Sequence, residues 1–276
     1  MGNHSKGHNK PENIKEIQEK FCKNLNFLFT DIDDTITTDG LIDSSAFNAV
    51  WKIFKAGIKV VPVTGRPAGW CDHIARMWPV AGVIGENGSF YFSYNHTTKK
   101  MKRRYFLSGK ERDKNQKKLK AIGERIIREV PGSMIASDQP FRISDLAIDY
   151  REDTEPLGKQ AVNKICRIME EEGATYKVSS IHVNCWFGDY DKVACLKQFL
   201  KDTTGAEMDT LNERIIFIGD SPNDEPMFKE LPYTVAVSNI NKFLDDITNL
   251  PRYITQNTSG KGFEEMVNII IGKRNL

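Results

Sequence analysis

Three carboxylates and two threonines surround the end of one short apolar run, Phe27-Leu28-Phe29-Thr30-Asp31-Ile32-Asp33-Asp34-Thr35. Side chains two apart on an extended segment point to the same side, so Asp31 and Asp33 would be neighbours. Two carboxylates at that range repel, and burying them unpaired is costly. The simplest compensation is a hard divalent cation with oxygen ligands. The bland alternative is an acidic turn in solvent after a strand.

Three further polar clusters stand in the same relation to apolar runs. Thr64-Gly65-Arg66 follows 58–63, Glu86-Asn87 follows 81–85, and Asp220-Ser221-Pro222-Asn223-Asp224 follows 214–219. Any one of them could be an ordinary turn, since Asp, Asn, Gly and Pro form turns. In an open parallel sheet, however, ligands bind outside the carboxyl ends of the strands. Clusters far apart in sequence would then converge on one site.

The elements needed for such a sheet are legible. Phe27 to Phe29 is too short for a helix and rich in aromatics, which predicts a buried strand. Phe47, Val50, Trp51 and Phe54 recur at helical spacing after a cap at Ser44 or Ser45, and Gly57 ends that helix. A second strand over 58–63 leads to Pro67, which suits the first turn of a helix carrying Trp70, Ile74, Met77 and Trp78. Strand and helix in short alternation predict a parallel sheet with crossover helices. The texture then changes. A helix over 121–130, a half-solvated strand over 143–150, a helix over 159–172 and short strands over 175–178 and 181–186 predict a small open-faced α+β unit. The first texture returns with a helix after Asp191, strands over 214–218 and 234–237, and a last helix over 259–271. The expected organisation is an N-terminal tail and lead-in helix (1–25), an α/β core in two parts (26–88 and 187–276), and an inserted α+β cap (89–186).

Composition narrows the function classes. The chain has 276 residues and a net charge of +2, so whole-chain electrostatics favour no partner. Five scattered Cys without a CxxC pair predict free thiols in a reducing, cytoplasmic setting, with neither a disulfide frame nor a zinc site. No run approaches the roughly 20 apolar residues of a membrane helix, so no membrane partner is expected. The start is polar and lacks the apolar stretch of a signal peptide. Gly2 would suit myristoylation, but Lys6 stands where that signal wants Ser or Thr. The five His (His4, His8, His73, His96, His182) show no ligand-like spacing, and none is expected to be catalytic.

Asp31-x-Asp33-x-Thr35, Thr64, a Lys before a late helix, and Gly219-Asp220-x-x-Asn223-Asp224 resemble, in order, the four motifs of the haloacid dehalogenase superfamily. The resemblance spans about 26–88 and 186–276. An insert between the second and third motifs, preceded by Glu-Asn-Gly, resembles the branch that holds the sucrose-phosphate, mannosyl-3-phosphoglycerate and Cof-type phosphatases. It implies a Rossmann-like parallel-sheet core with an inserted α+β cap, and a magnesium-dependent phosphomonoester hydrolase. Asp31 would be the nucleophile, forming an aspartyl-phosphate; a carboxylate suits this because it stays ionised at neutral pH. Asp33 would protonate the leaving alcohol and then activate water, its backbone carbonyl also reaching the metal. Asp31, Asp220 and, directly or through its neighbours, Asp224 would hold Mg2+. Thr64 and the Gly65 amide would donate to the phosphoryl oxygens, Lys192 would neutralise charge there, and Lys197 is a weaker candidate. Asn223 would position Lys192 or phosphate. Arg66, Glu86 and Asn87 would bind the rest of the substrate, although Glu86 and Asn87 could instead only shape a hinge.

The insert decides specificity, and it is less legible. Thirteen Lys or Arg against three acids between Lys99 and Arg128 leave a net charge of about +10. That stretch could attract a multiply anionic substrate or be a solvated helical face. The expected substrate is a phosphorylated sugar or related small metabolite. Alternatives are a sugar phosphomutase on the same fold, a nucleic-acid or nucleotide phosphatase using the basic cap, and a non-catalytic interaction protein. Apart from Tyr105 and Phe106, no stacking residues interleave the basic run, which speaks against nucleic acid. The complete motif set speaks against a non-catalytic protein. Oligomeric state leaves no mark in the sequence.

Overall fold

The computed structural model describes residues 10–179 and 181–276. A six-stranded parallel sheet runs in the order β1 (Glu12–Asn13), β13 (Tyr253–Ile254), β12 (Thr234–Ala236), β11 (Ile215–Gly219), β2 (Phe27–Thr30), β3 (Lys59–Pro62). Leu28, Val60, Ile216 and Ile218 join one apolar cluster, while Phe27, Phe29, Val61 and Phe217 join another. Strand side chains alternate between faces, so central strands apolar at every position need cover on both sides. The first cluster is closed by α1 (Glu19–Asn24), α2 (Ser44–Lys55), α3 (Ala68–Met77) and α8 (Ser259–Arg274). The second is closed by α6 (Lys192–Thr204) and α7 (Glu225–Glu230). Each fully buried Leu, Ile or Phe stabilises by about 1.5–3 kcal/mol, so these two clusters dominate the stability of the core.

The core reaches further than residue 88. β4 (Val83–Gly85) meets the end of β3 through a parallel bridge between Val63 and Ile84. It then pairs antiparallel with a hairpin, β5 (Phe90–Asn95) and β6 (Lys100–Tyr105). Phe90 and Phe92 bury in the first core cluster and Tyr91 in the second. The insert expected from residue 89 therefore begins, as a separately packed body, only after this hairpin.

That body is a four-stranded antiparallel sheet in the order β7 (Met134–Ile135), β8 (Asp145–Asp149), β10 (His182–Trp186), β9 (Thr175–Val178). Its apolar face carries Leu146, Ile148, Val183 and Cys185 and is covered by α4 (Gly109–Glu129) and α5 (Lys159–Glu171). α4 starts twelve residues before the expected 121. Its first half is polar and mostly exposed, so no apolar period marks it; a capping box between Ser108 and Glu111 does. The basic run thus lies largely on a solvated helix face and the hairpin edge.

The N-terminal expectation also changes. Glu12 and Asn13 pair with β13, and Ile14 and Ile17 are fully buried, so the chain is tied down from residue 12. Gly2, His4, Lys6 and His8 lie outside the described residues. No helix among the described residues is long and apolar enough to cross a membrane.

Candidate active site

Strand register brings the acidic clusters together. Thr30 of β2 pairs with Ile218 of the neighbouring β11, and the Asp31 N–H donates to the Ile218 carbonyl at 2.9 Å. Asp31 and Asp220 therefore leave adjacent strands side by side. Carboxylate oxygens of Asp31, Asp220 and Asp224 lie within 4.8 Å of one another, and all three residues are buried. Asp224 is placed by Gly219: a Cβ there would stand 2.1 Å from Asp224 Oδ2, which accepts the Asp220 N–H at 3.1 Å.

Lys192 completes the cluster. Asp191 caps α6 by accepting the Ala194 N–H at 2.7 Å, so Lys192 is the first helical residue. Its Nζ stands 2.9 Å from Asp224 Oδ1 and 3.2 Å from Asp31 Oδ1. Gly88 (φ +102) allows the approach, because a Cβ would meet the Asp191 carbonyl at 2.1 Å. Burial, with Asp224 and Asp33 nearby, pushes Asp31 up to about 8 against the pull of Lys192. Burial and the carboxylates of Asp224 and Asp31 push Asp220 well up too. Burial disfavours the Lys192 ammonium, but Asp224 and Asp31 outweigh it and hold the charge in place. Burial thus resists ionisation of Asp31 and Asp220, and once all three acids are ionised they carry two more negative charges than Lys192 balances. A compact set of buried oxygen donors with that deficit fits a divalent cation such as magnesium.

Asp33 is held differently. Its carboxylate takes Arg66 Nη2 at 2.8 Å and Nε at 3.0 Å, and is not part of the three-acid cluster. Arg66 lies over Trp70, 4.5 Å from the ring centre, and its Nη2 also reaches Glu152 of the cap at 2.9 Å. Glu152 Oε2 lies 3.0 Å from His182 Nε2. His182 and then Arg66 hold Glu152 down, at about 2. Thr64 is fully buried and outside the cleft lining; its Oγ1 accepts the Arg66 N–H at 3.0 Å, leaving its own hydroxyl hydrogen to donate.

Glu86 does not face the cleft. Its carboxylate accepts N–H groups from Ala68 (2.9 Å), Ile143 (3.0 Å), Ser144 (2.6 Å) and Asp145 (3.2 Å). One core carboxylate thus fastens three consecutive cap amides. Burial and Asp145 push Glu86 up to about 8, opposed by Arg142 and these amides. Asn87 (φ 55) does line the cleft, and its buried Nδ2 has no hydrogen-bond partner among the described residues. Asn223 also lines it, but its Oδ1 accepts the Ser221 hydroxyl at 3.1 Å; Lys192 is positioned by Asp31 and Asp224 instead. Lys197 pairs with Glu230 at 2.8 Å and takes no part in the cluster.

The opposite wall of the cleft was not foreseen. It is formed by Arg142, Lys177, Ser179, Ile181, His182 and Asn184 of the cap. The buried Arg142 binds Asp138 (2.8 Å), Asp145 (3.1 Å) and the Gly65 carbonyl (2.9 Å), tying the cap to the second motif. Asn239 was also missed; its Nδ2 donates to the Asp34 carbonyl at 3.0 Å and lies 3.4 Å from Asp220 Oδ2. The polar alternation His182-x-Asn184 on an otherwise apolar strand was the only mark of the cap wall in the sequence.

A family model described as haloacid dehalogenase-like hydrolase matches residues 28–127 and 152–266. The chain is 26% identical over 254 residues to a phosphoglycolate phosphatase of Methanobrevibacter smithii, covering 88% of this chain and 97% of the relative. It is 25% identical over 266 residues to a glucosyl-3-phosphoglycerate/mannosyl-3-phosphoglycerate phosphatase of Persephonella marina, covering 87% and 95%. Among solved structures, a protein of Thermoplasma acidophilum aligns with a TM-score of 0.69 at 20% identity, covering 91% of this chain and 99% of that one. The sucrose-phosphatase of Synechocystis, solved with sucrose and phosphate, aligns with a TM-score of 0.61 at 15% identity, covering 91% and 98%. These structures share the fold: a parallel-sheet core with helices and additional antiparallel sheets.

Proposed function

The chain belongs to the haloacid dehalogenase-like hydrolases, and from that premise we propose that it is a magnesium-dependent phosphatase of small phosphorylated metabolites, working through an aspartyl-phosphate. The observation that carries this reading is the meeting of Asp31, Asp220 and Asp224 within 4.8 Å, with Lys192 bonded to two of them. The names of the relatives, phosphatases of phosphoglycolate and of sugar phosphoglycerates, support the substrate class.

Asp31 attacks phosphorus, forming an O–P bond as the ester O–P bond breaks. Asp33 gives a proton to the departing alkoxide, then takes one from the water that cleaves the acyl-phosphate. To reach the ester oxygen, the Asp33 carboxylate must turn away from Arg66. Lys192 keeps a positive charge beside the nucleophile throughout, the Gly65 amide and the unpaired Asn87 amide donate to phosphoryl or substrate oxygens, and Thr64, behind the lining, holds the Arg66 amide. Bound magnesium, held by Asp31, Asp220, Asp224 and the Asp33 carbonyl, would draw charge from the phosphoryl group.

The test is phosphate release from a panel of phosphorylated metabolites, with magnesium and with chelator. Asp31→Asn is expected to lower turnover by at least about 10³-fold while the circular dichroism stays native. Wild-type rates in that variant, or rates indifferent to chelator, would overturn the proposal.

A further inference from the structure

The cleft holds more cations than phosphoryl transfer uses, and all but one of them are matched. Lys192 is taken by Asp31 and Asp224, Arg66 by Asp33 and Glu152, and Arg142 by Asp138 and Asp145. Lys177 is different: it lines the same cleft and makes no ion pair among the described residues. Its direction is fixed by register. On β9 it stands directly opposite Asn184 of β10, so both point away from the apolar face that Val183 and Cys185 give to the helices. Asn184 itself is buried on the cleft side, donating to Asp145 at 3.0 Å.

We infer that Lys177 is the specificity-determining residue for a second negative charge on the substrate, making the favoured substrate a phosphorylated hydroxy acid whose leaving alcohol carries a carboxylate. This rests on the phosphatase reading above. The phosphoryl group is taken by the core wall, so the leaving group lies towards the cap. An anion there finds one uncommitted ammonium; every other cation would have to abandon a carboxylate to greet it.

The experiment compares two esters of equal size, 2-phosphoglycolate and 2-hydroxyethyl phosphate, on wild type, Lys177→Gln and Lys177→Arg. Lys177→Gln is expected to raise KM for 2-phosphoglycolate by about ten-fold, with kcat within about two-fold. KM for the neutral ester should not move, and Lys177→Arg should restore most of the preference. Equal changes on both esters, or no change on 2-phosphoglycolate, overturn the inference. A wild type that hydrolyses the neutral ester without preferring the carboxylate overturns this inference alone. One that hydrolyses neither ester but releases phosphate from other metabolites also overturns this inference alone; no release from any member of the panel overturns the phosphatase reading with it.

Discussion

The two walls of the cleft are assembled in opposite ways. On the core wall, Asp31, Thr64 and Asp220 sit just past the ends of parallel strands, and backbone register fixes their spacing before any side chain is chosen. On the cap wall, Arg142, Lys177, His182 and Asn184 come one at a time from a loop and from alternate positions of antiparallel strands. Clustering suits a reaction that needs several charges on one phosphoryl group. Scattering suits recognition, where single residues can change without disturbing the chemistry. The walls meet at Glu86 and Arg66, which belong to the core and bond to the cap.

The difference can be broken most severely on the core side. Lys192→Met would leave Asp224, and Asp31 where it is ionised, buried without their counter-charge. In metal-free protein at neutral pH a loss of about 3 kcal/mol is expected, read from denaturant midpoints. The loss should shrink in acid, where a protonated carboxylate needs no partner. If the loss is nearly the same at acid and neutral pH, the cost is one of packing and the electrostatic account of this wall fails.

The contrast also explains what the sequence disclosed. The parallel sheet, the convergence of Asp31 with Asp220 and the α6 cap at Asp191 were legible because short apolar runs and polar strand ends are local signals. The hairpin over 90–105 falls within the expected insert (89–186), where the basic second strand resembles the run that follows; the buried Phe90, Tyr91 and Phe92 show that it packs on the core. The tie of residues 12–13 to β13 depends on a strand some 240 residues away, so it left no local trace. His182 carried no spacing signal because its partner, Glu152, lies on a loop. The partners of Glu86 are invisible in sequence, since they are backbone amides.

A middle-sized effect belongs to the junction. Glu86→Ala strips the acceptor from four backbone N–H groups at once. Unsatisfied buried donors cost about 1–3 kcal/mol each when water cannot reach them. A loss of at least about 2 kcal/mol is expected, with faster proteolysis between core and cap. Proteolysis unchanged from wild type would mean that the walls are joined elsewhere.

The smallest effect is on the cap wall. Glu152 is held down at about 2 from an ordinary 4.5, chiefly by His182 and Arg66. An acid depressed on folding contributes stability above its unfolded value and loses it as pH falls through the folded one. The difference in melting temperature between wild type and Glu152→Gln should therefore shrink as pH falls from about 4.5 to about 2. A difference that persists at the acid end would show that packing, not charge, is at work.

The most direct test of the core wall's chemistry is to quench wild-type turnover in acid, digest the protein and locate phosphate by mass spectrometry. The phosphoryl group is expected on the peptide that carries Asp31, dependent on magnesium and absent from Asp31→Asn. A phosphoryl group on any other side chain would contradict the assignment of Asp31 as nucleophile.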